Sequence, residues 1–515
     1  MKNIFYLIIL CSQFSFSQNT FQKIYGFGYG YSVQQTTDSG YVVFGSNYPG
    51  NNIDICVLKT NQTGDTIWTR TLDHTIRDIA FSGVQTKDGG YMITGTIENT
   101  VFTHCLIRLN ANGDTLWTKL IHSSIGEFDG KSIIQTMDGG FVISGKTKYL
   151  LDGLLLMRLD SMGTVLWQKS YNNMGFDDVG SSFCQTSDHG FLIVGVENFN
   201  QYSKSIIVKT NSNGDTLWTK SISNFGFGGA GSVTETFDGN YVIAGYTLIN
   251  LNSSEYSYLV KLDITGNIIW SKLYGNTDST RSLHVSSIQQ TADSGIVMTG
   301  ALSNPQGVQD VFLLKTNSTG DTLWTRYYYS VSYDFPFSIK QTYDNGFIIS
   351  GTSQDSSNSG TFIYLIKTDS LGHIGCNDFI PSIVLDTFLA ITDNIPIIAT
   401  SVTTTQQFIY PVIGYSIQAF DYCTKNSIAS INNKTIKIFP NPSSNYLTFV
   451  FPPNNHSYLN AINYFNLMGE LVYTEPINFQ PGDSEVISDI SILRPGVYIA
   501  RIYGNENYQI MIIKQ

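Results

Sequence analysis

An all-β chain is predicted here: a seven-bladed β-propeller of four-stranded blades, followed by a small C-terminal β-sandwich. Three observations predict it. Six Trp residues recur at intervals of 49 to 54 residues: Trp68, Trp117, Trp167, Trp218, Trp270 and Trp324. A Q-T-x-D-x-G-[YF]-x-[VI]-x-G signature recurs seven times, with its Asp at Asp38, Asp88, Asp138, Asp188, Asp238, Asp293 and Asp344. A strand ending in a basic residue also recurs seven times, at Lys59, Arg108, Arg158, Lys209, Lys261, Lys315 and Lys367. Four short strands repeated about every fifty residues form the pattern of propeller blades, whereas a β-helix needs a shorter period.

The first residues carry an export signal. Lys2 is the charged n-region, Ile4 to Leu10 the apolar core, and Ser15-Phe16-Ser17 a small-x-small cleavage site, so residues 1–17 are removed and Gln18 follows. The apolar run is too short to span a bilayer, and no other long apolar run follows. Cys11 raises a lipoprotein alternative, but Leu10 stands where a small residue should precede a lipidated Cys.

Residues 18–376 form the propeller. In the first repeat the strands fall at Ser32–Thr36, Tyr41–Ser46, Asp54–Thr60 and Thr66–Leu72. Asp38-Ser39-Gly40 and Asp88-Gly89-Gly90 are hairpin turns that need positive φ, and Asn61-Gln62-Thr63-Gly64 is a type I turn with Gly in the left-handed region. The seventh repeat lacks its outer strand, since Cys376 stands where Trp is due. Phe21-Gln22-Lys23-Ile24-Tyr25-Gly26 matches Trp270-Ser271-Lys272-Leu273-Tyr274-Gly275, so the N-terminal strand is expected to complete the last blade and close the ring, removing open edges.

Intervals separate two faces. Each turn Asp precedes the Gly of the second strand by 7 residues, and each basic residue precedes its Trp by 9. The Gly-to-basic interval varies from 13 to 16, and that from Trp to the next Asp from 20 to 23. In a four-stranded meander the fixed turns share one face and the variable loops the other, where binding usually resides.

Residues 377–432 are a Thr- and Ile-rich connector, with possible extra strands beside the last blade. Residues 433–515 carry short strands at Ile436–Phe439, Tyr446–Phe451, Ala461–Asn466, Glu470–Glu475, Gly496–Tyr503 and Tyr508–Lys514. Their motifs are IKIFPNPSSNYL with Pro440-Asn441-Pro442, FNLMGELV with Gly469, ISILRPGVYIARI with Pro495, Gly496 and Tyr498, and the terminal IMIIKQ with Lys514. This region resembles the C-terminal sorting domain (type A-like) of the type IX secretion system of Bacteroidetes. The resemblance implies export to the periplasm and passage across the outer membrane by that machinery. It also implies removal of the domain by a sortase-like surface protease, then anchoring to lipopolysaccharide or release; cleavage is expected near the end of the connector, around Ser427 to Lys434. The repeats are similar to those of uncharacterised secreted propellers that carry this domain, a likeness that implies no activity.

Composition excludes some partners. The net charge of −11 opposes nucleic acid, which needs clustered Lys and Arg. Five Cys remain after the signal: Cys56 and Cys105 sit in apolar strand patterns as buried thiols, and Cys376 and Cys423 bracket the connector as a disulfide candidate. No cofactor is implied.

Features present in every repeat are architecture, because one active site does not need seven copies. The Trp series reads as packing between blades and the Asp and basic series as turns and ion pairs. The N-x-x-G-D turns lack the alternating oxygen ligands of a calcium loop, so no metal is assigned. The symmetry-breaking candidates for binding are Asp78, Asp129, Asp178 and Asp334, each 9 or 10 residues before a turn Asp, which could hold a cation if the loops converge. Tyr327 and Tyr329, within the run Tyr327-Tyr328-Tyr329, and Tyr333 are candidates for stacking on sugar rings. No catalytic motif is present: the His residues are scattered, and no H-E-x-x-H, G-x-S-x-G or phosphate loop stands in a supporting context. The reading is therefore an exported binding or adhesion module for a glycan or surface protein. A polysaccharide-active hydrolase or lyase and a purely structural surface protein are the rivals. Carboxylates converging in a deep pocket would favour the enzyme.

Overall fold

A computed structural model describes residues 18–48, 52–73, 77–98, 102–123, 128–147, 153–172, 177–199, 202–223, 228–248, 255–276, 281–303, 308–328, 330, 333–354 and 360–375, then 378–379, 383–386, 391–394, 398–401, 404–409 and 419–421 of the connector, and 437–439, 445–450, 461–465, 471–476, 485–494, 496–502 and 508–514 beyond it. The chain divides into two compact units, Met1–Tyr422 and Cys423–Gln515.

The repeats are four-stranded antiparallel meanders in a propeller-like arrangement. In the first, Gly28–Gln35 pairs with Tyr41–Asn47, then Asp54–Thr60, then Thr66–Leu72. The second and third strands are buried along their whole length because neighbouring sheets cover both faces, so they read as near-continuous apolar runs. The core lies between successive sheets. Val42, Phe44 and Val57 of the first repeat pack with Tyr91, Ile93 and Ile107 of the second. Leu192 and Ile207 of the fourth pack in the same way with Ile243 and Val260 of the fifth. Cys56 and Cys105 are buried free thiols within this packing.

The first described strand, Phe21–Gln35, serves two repeats. Phe21–Phe27 lies antiparallel to Thr361–Thr368, the third strand of the last repeat, and Gly28–Gln35 belongs to the first. First strands neighbour one another in sequence, Arg77–Gln85 against Phe128–Gln135 and onward, until Tyr333–Gln341 lies against Phe21–Gln35.

Three contacts join neighbouring repeats. Each Trp ring covers the turn Gly of the next repeat so closely that a methyl group on Gly113 would sit 2.9 Å from Trp68, and one on Gly214 2.8 Å from Trp167. At three of the six junctions a Tyr four residues after Trp donates its hydroxyl to that Gly carbonyl: Tyr171 to Gly214 at 2.7 Å, Tyr274 to Gly320 at 2.6 Å and Tyr328 to Gly372 at 2.8 Å. Phe21 and Tyr25 do the same to Gly64. The Gln of the Q-T signature accepts from a turn amide of the preceding repeat, Gln85 from Thr37 at 3.0 Å and Gln341 from Ala292 at 2.9 Å. Gln35 accepts from Tyr343 at 2.7 Å, so the last repeat is tied to the first.

The turn Asp and the basic residue pair within each repeat, as in Lys59–Asp38 at 2.9 Å and Lys209–Asp188 at 2.7 Å. Thr136 and then Arg158 hold the Asp138 carboxyl at about 2. In these turns the left-handed residue is the one after Asp, Ser39 (φ 67°), His189 (φ 64°) or Asn345 (φ 61°), rather than the Gly after it. That Gly is required by space: a methyl group on Gly40 would lie 2.2 Å from the Thr60 carbonyl oxygen.

The connector runs along the outer strands rather than beside the last repeat alone. Asp378–Phe379 pairs with the outer strand of the sixth repeat, Ile383–Asp386 with the fifth, Ile391–Asn394 with the fourth, Ile398–Ser401 with the third and Thr404–Ile409 with the second. Ala419–Asp421 then pairs with Lys23–Tyr25. These strands cover edges that would otherwise offer unpaired backbone groups. Cys376 and Cys423 lie outside the described residues.

The second unit has two sheets. Lys437–Phe439, Tyr446–Val450 and Glu485–Asp489 form one; Leu471–Pro476, Ala461–Phe465, Gly496–Ile502 and Tyr508–Lys514, in that order, form the other. Leu447 and Phe449 of the first share a core with Ile462, Tyr464, Ala500 and Ile512 of the second. Glu485–Asp489 is the strand that the sequence reading missed.

Candidate functional site

The first strands carry a β-bulge at a fixed place. Pairing with the second strand skips one residue between Gly30 and Ser32, Ala80 and Ser82, Gly180 and Ser182, Ala230 and Ser232, Val285 and Ser287, and Pro336 and Ser338. The third repeat skips Lys131 in the same way. A bulge re-aims a side chain out of the pleat. The residue after it is Ser in every repeat, and the hydroxyls of Ser82, Ser232, Ser287 and Ser338 each accept from a first-strand amide of the following repeat. Ser232 accepts from Ile288 at 3.1 Å, Ser82 from Ile133 at 3.4 Å, and Ser338 from Val33 at 3.4 Å. These four serines thus satisfy first-strand amides across the repeat junctions.

The bulged residues and the strand beyond them line a cavity of ≈ 530 Å³. It spans the part of the first strands from the bulge toward the first hairpin turn, on the side of the fixed turns. Its wall is lopsided. Phe337, Tyr31, Phe81 and Lys131 come from consecutive repeats. Tyr31 lies 5.1 Å from Phe337 and 5.7 Å from Phe81, ring centre to ring centre, and the Lys131 ammonium sits 3.3 Å from the Phe81 centroid. Across from them the same position is Gly231 and Ser286. Burial, with the neighbouring Tyr29 second, pushes the Tyr31 hydroxyl to about 12, so it stays a neutral donor and acceptor. Lys340 also lines the cavity; it reaches water there, yet surrounding protein withholds bulk solvation and lowers its ammonium pKa. The described lining holds no Asp, Glu, His or Cys. Aromatic faces, two ammonium groups and hydroxyls suit stacking and hydrogen bonding with a polar ligand.

The residues singled out from the sequence lie elsewhere. Asp78 is fully buried beside Asp54 and Asp73. Asp129 is buried and pairs with Lys131 at 3.5 Å, behind the cavity wall. Its charge also faces His104, which burial holds neutral at about 3. Asp178 stands on Asp177–Gln185 opposite Glu197 in register. Asp334 is fully buried near Asp310; burial first, with Asp310 adding, against the hydroxyls of Ser353 and Ser330, raises it to about 8. Tyr327 belongs to that cluster, since its hydroxyl donates to Asp310 and its ring faces Arg281 at 5.8 Å. Tyr333 begins its strand opposite Gln354, and Tyr329 lies outside the described residues. Tyr327 and Asp334 therefore meet through Asp310, while Asp78 joins a separate group between the first and second repeats. Sequence reading missed Tyr31, Phe81, Lys131, Gly231 and Phe337. Aligning the repeats on the invariant Ser would have exposed that column.

In the second unit Gly496 opens its strand, Lys514 ends the last one, and the Tyr498 hydroxyl donates to the Arg494 carbonyl at 2.8 Å. Pro440, Asn441, Pro442, Gly469 and Pro495 lie outside the described residues.

Residues 437–515 match the family described as "Secretion system C-terminal sorting domain". This tail supports export by the type IX secretion machinery, with which it interacts, and places the protein outside the cell or at its surface. No helix among the described residues is long and apolar enough to cross a membrane. No curated protein matches the chain. Among solved structures it is similar to Sqt1 from Chaetomium thermophilum (11% identity, 68% of this chain and 84% of that one, TM-score 0.37). It is also similar to a protein of unknown function from Dyadobacter fermentans (11%, 67% and 98%, TM-score 0.35) and to a structure titled "Glycoside hydrolase" (12%, 77% and 97%, TM-score 0.26).

Proposed function

We propose that this chain is an exported binding module. Its repeats make a seven-bladed propeller closed by the N-terminal strand, and its axial cavity receives a terminal sugar of an acidic glycan. In this reading residues 1–17 are a signal peptide, the C-terminal domain delivers the propeller to the type IX machinery of a Bacteroidetes-type cell, and a sortase-like protease then removes it. The observation that carries the binding role is the crescent of Phe337, Tyr31 and Phe81 with Lys131 and Lys340, facing the small residues Gly231 and Ser286. Aromatic faces stack on a sugar ring, the ammonium groups meet its carboxylate or sulfate, and the volume falls in the range of small-molecule pockets. Hydrolysis is disfavoured by position: the buried acids Asp78 and Asp334 are sealed from solvent, whereas a glycosidase needs two carboxylates flanking its bond.

Gly231 allows a direct test. A methyl group there would meet nothing nearer than 3.6 Å, so a side chain can grow into the cavity without disturbing the sheet. Purified protein is applied to an array of neutral and acidic glycans, and reducing-end release from the bound polysaccharides is followed. Binding to acidic glycans without release, lost in Gly231→Trp and Tyr31→Ala, is the expected result. Binding that survives Gly231→Trp, or release of reducing ends, would overturn the reading.

A further inference from the structure

We propose that Asp54, Asp73 and Asp78, with the side-chain oxygen of Asn47, hold a calcium ion between the first and second repeats. The three aspartates each place a carboxylate oxygen within 4.8 Å of the others, and they are the only such trio of acids, His or Cys among the described residues. Asp54 and Asp78 are almost wholly buried, at 2% and 0% exposure. Burying adjacent carboxylates is strongly unfavourable unless a proton or a cation compensates them.

Asn47 supplies the independent observation. It stands directly opposite Asp54 on the neighbouring strand, so the two side chains share a face of the sheet. It is 7% exposed, and its amide nitrogen donates to the Thr71 hydroxyl at 3.0 Å. Its Oδ1 accepts no hydrogen bond among the described residues, nor does Asp54 Oδ1. A neutral buried amide oxygen left open beside an open carboxylate oxygen is a ligand set for a hard cation. All the donors are oxygen, and their number, up to seven, suits calcium better than the strict octahedron of magnesium. Arg77, beside Asp78 in the chain, approaches Glu98 at 3.9 Å.

The sixth and seventh repeats provide a control built into the chain. Asp310 and Asp334 occupy the positions of Asp54 and Asp78. There Asp310 accepts from the Tyr327 hydroxyl and from the Ser330 amide at 3.1 Å, so protein donors satisfy it. Leu302 faces Asp310 where Asn47 faces Asp54. The third-strand position is thus closed by hydrogen bonds at Asp310 and keeps an open oxygen at Asp54.

The test is calorimetric titration of the chelator-treated full chain with calcium chloride and, separately, magnesium chloride. One calcium per chain is expected, with a Kd of roughly 10⁻⁴ to 10⁻³ M, as in extracellular calcium modules, and weaker magnesium binding. Asp73→Asn, at a half-buried position, and the isosteric Asp54→Asn should each weaken binding at least tenfold, with near-ultraviolet circular dichroism confirming the fold. Asp310→Asn should leave binding unchanged. The proposal fails if no calcium binds up to about 10 mM, or if correctly folded Asp73→Asn and Asp54→Asn bind as the parent does.

Discussion

Replacing Phe21 with Ala tests whether the N-terminal strand seals the last repeat against the first. Phe21 is 3% exposed, its ring meets Tyr41 edge-on at 5.9 Å, and it fills the space over Gly64 that Trp fills at the other junctions. Around it, Tyr25 donates to the Gly64 carbonyl at 2.6 Å and Lys23 pairs with Asp65 at 2.9 Å. Truncating a buried Phe to Ala costs about 3–5 kcal/mol through lost transfer energy and the cavity left behind. The unfolding entropy is about 2.1 cal/mol/K per residue, or roughly 0.8 kcal/mol/K for a unit of about 400 residues. Phe21→Ala should therefore lower Tm by about 4–6 °C. Differential scanning calorimetry of the full chain is the assay. The control is Phe237→Ala at a site 72% exposed, expected within about 0.5 kcal/mol of the parent. A Phe21→Ala shift no larger than that of the control would refute the closure argument, since a strand that merely lies on the surface would lose nothing more.

Two further outcomes follow from the same contacts. Gly214→Ala places a methyl group 2.8 Å from Trp167 at φ +74°, whereas Gly139→Ala meets nothing within 4 Å at φ +85°. The first should cost about 1–3 kcal/mol more than the second by chemical denaturation, because overpacking adds to a backbone strain that both share; equal losses would mean that the Trp-on-Gly contact is slack. Asp334→Asn should change the pH dependence of Tm. The parent's carboxyl is raised to about 8 in the fold, so the native state holds a proton that the unfolded chain releases above about pH 4. Parental stability then falls with rising pH between about 4 and 8 by this linkage, the variant lacks that slope, and its relative Tm should climb across the window and level off above it. A difference constant with pH would show that the carboxyl is not held protonated.

What the sequence made legible was whatever repeats. The Trp and Asp intervals located the strands, and the third and fourth strands of the first repeat, Asp54–Thr60 and Thr66–Leu72, fall where the pattern put them. Phe21 was recognisable in the place of Trp because four residues later Tyr25 matches Tyr274. Extra strands in the connector were expected, but their run along the outer strands of the second to sixth repeats was not legible. They pair with an edge that already exists, so they need neither a Gly-marked turn nor alternation of their own. Asp78 and Asp334 drew notice as acids outside the motif, but their partners Asp54 and Asp310 sit just inside strands that read as apolar, and only pairing across a repeat boundary brings them together. The cavity was hidden for a related reason: its wall takes a short stretch from each of several repeats, each about fifty positions from the next.

That hidden column has a physical logic. Trp on Gly, Gln on the turn amide and Ser on the inner edge use up the positions that hold repeats together, and these cannot vary without loosening a junction. The bulged residue is different. It lies outside the pairing register of its own sheet, while the Ser next to it makes the contact to the following repeat. Substitution there leaves the ladder intact, so the column can hold Tyr31, Phe81 and Phe337 on one side and Gly231 and Ser286 on the other without disturbing the scaffold. Under strict repetition the cavity wall would be uniform and would offer a ligand no preferred orientation. The run of Phe337, Tyr31, Phe81 and Lys131 across consecutive repeats gives one side of the cavity aromatic faces and leaves the other side lined by small residues.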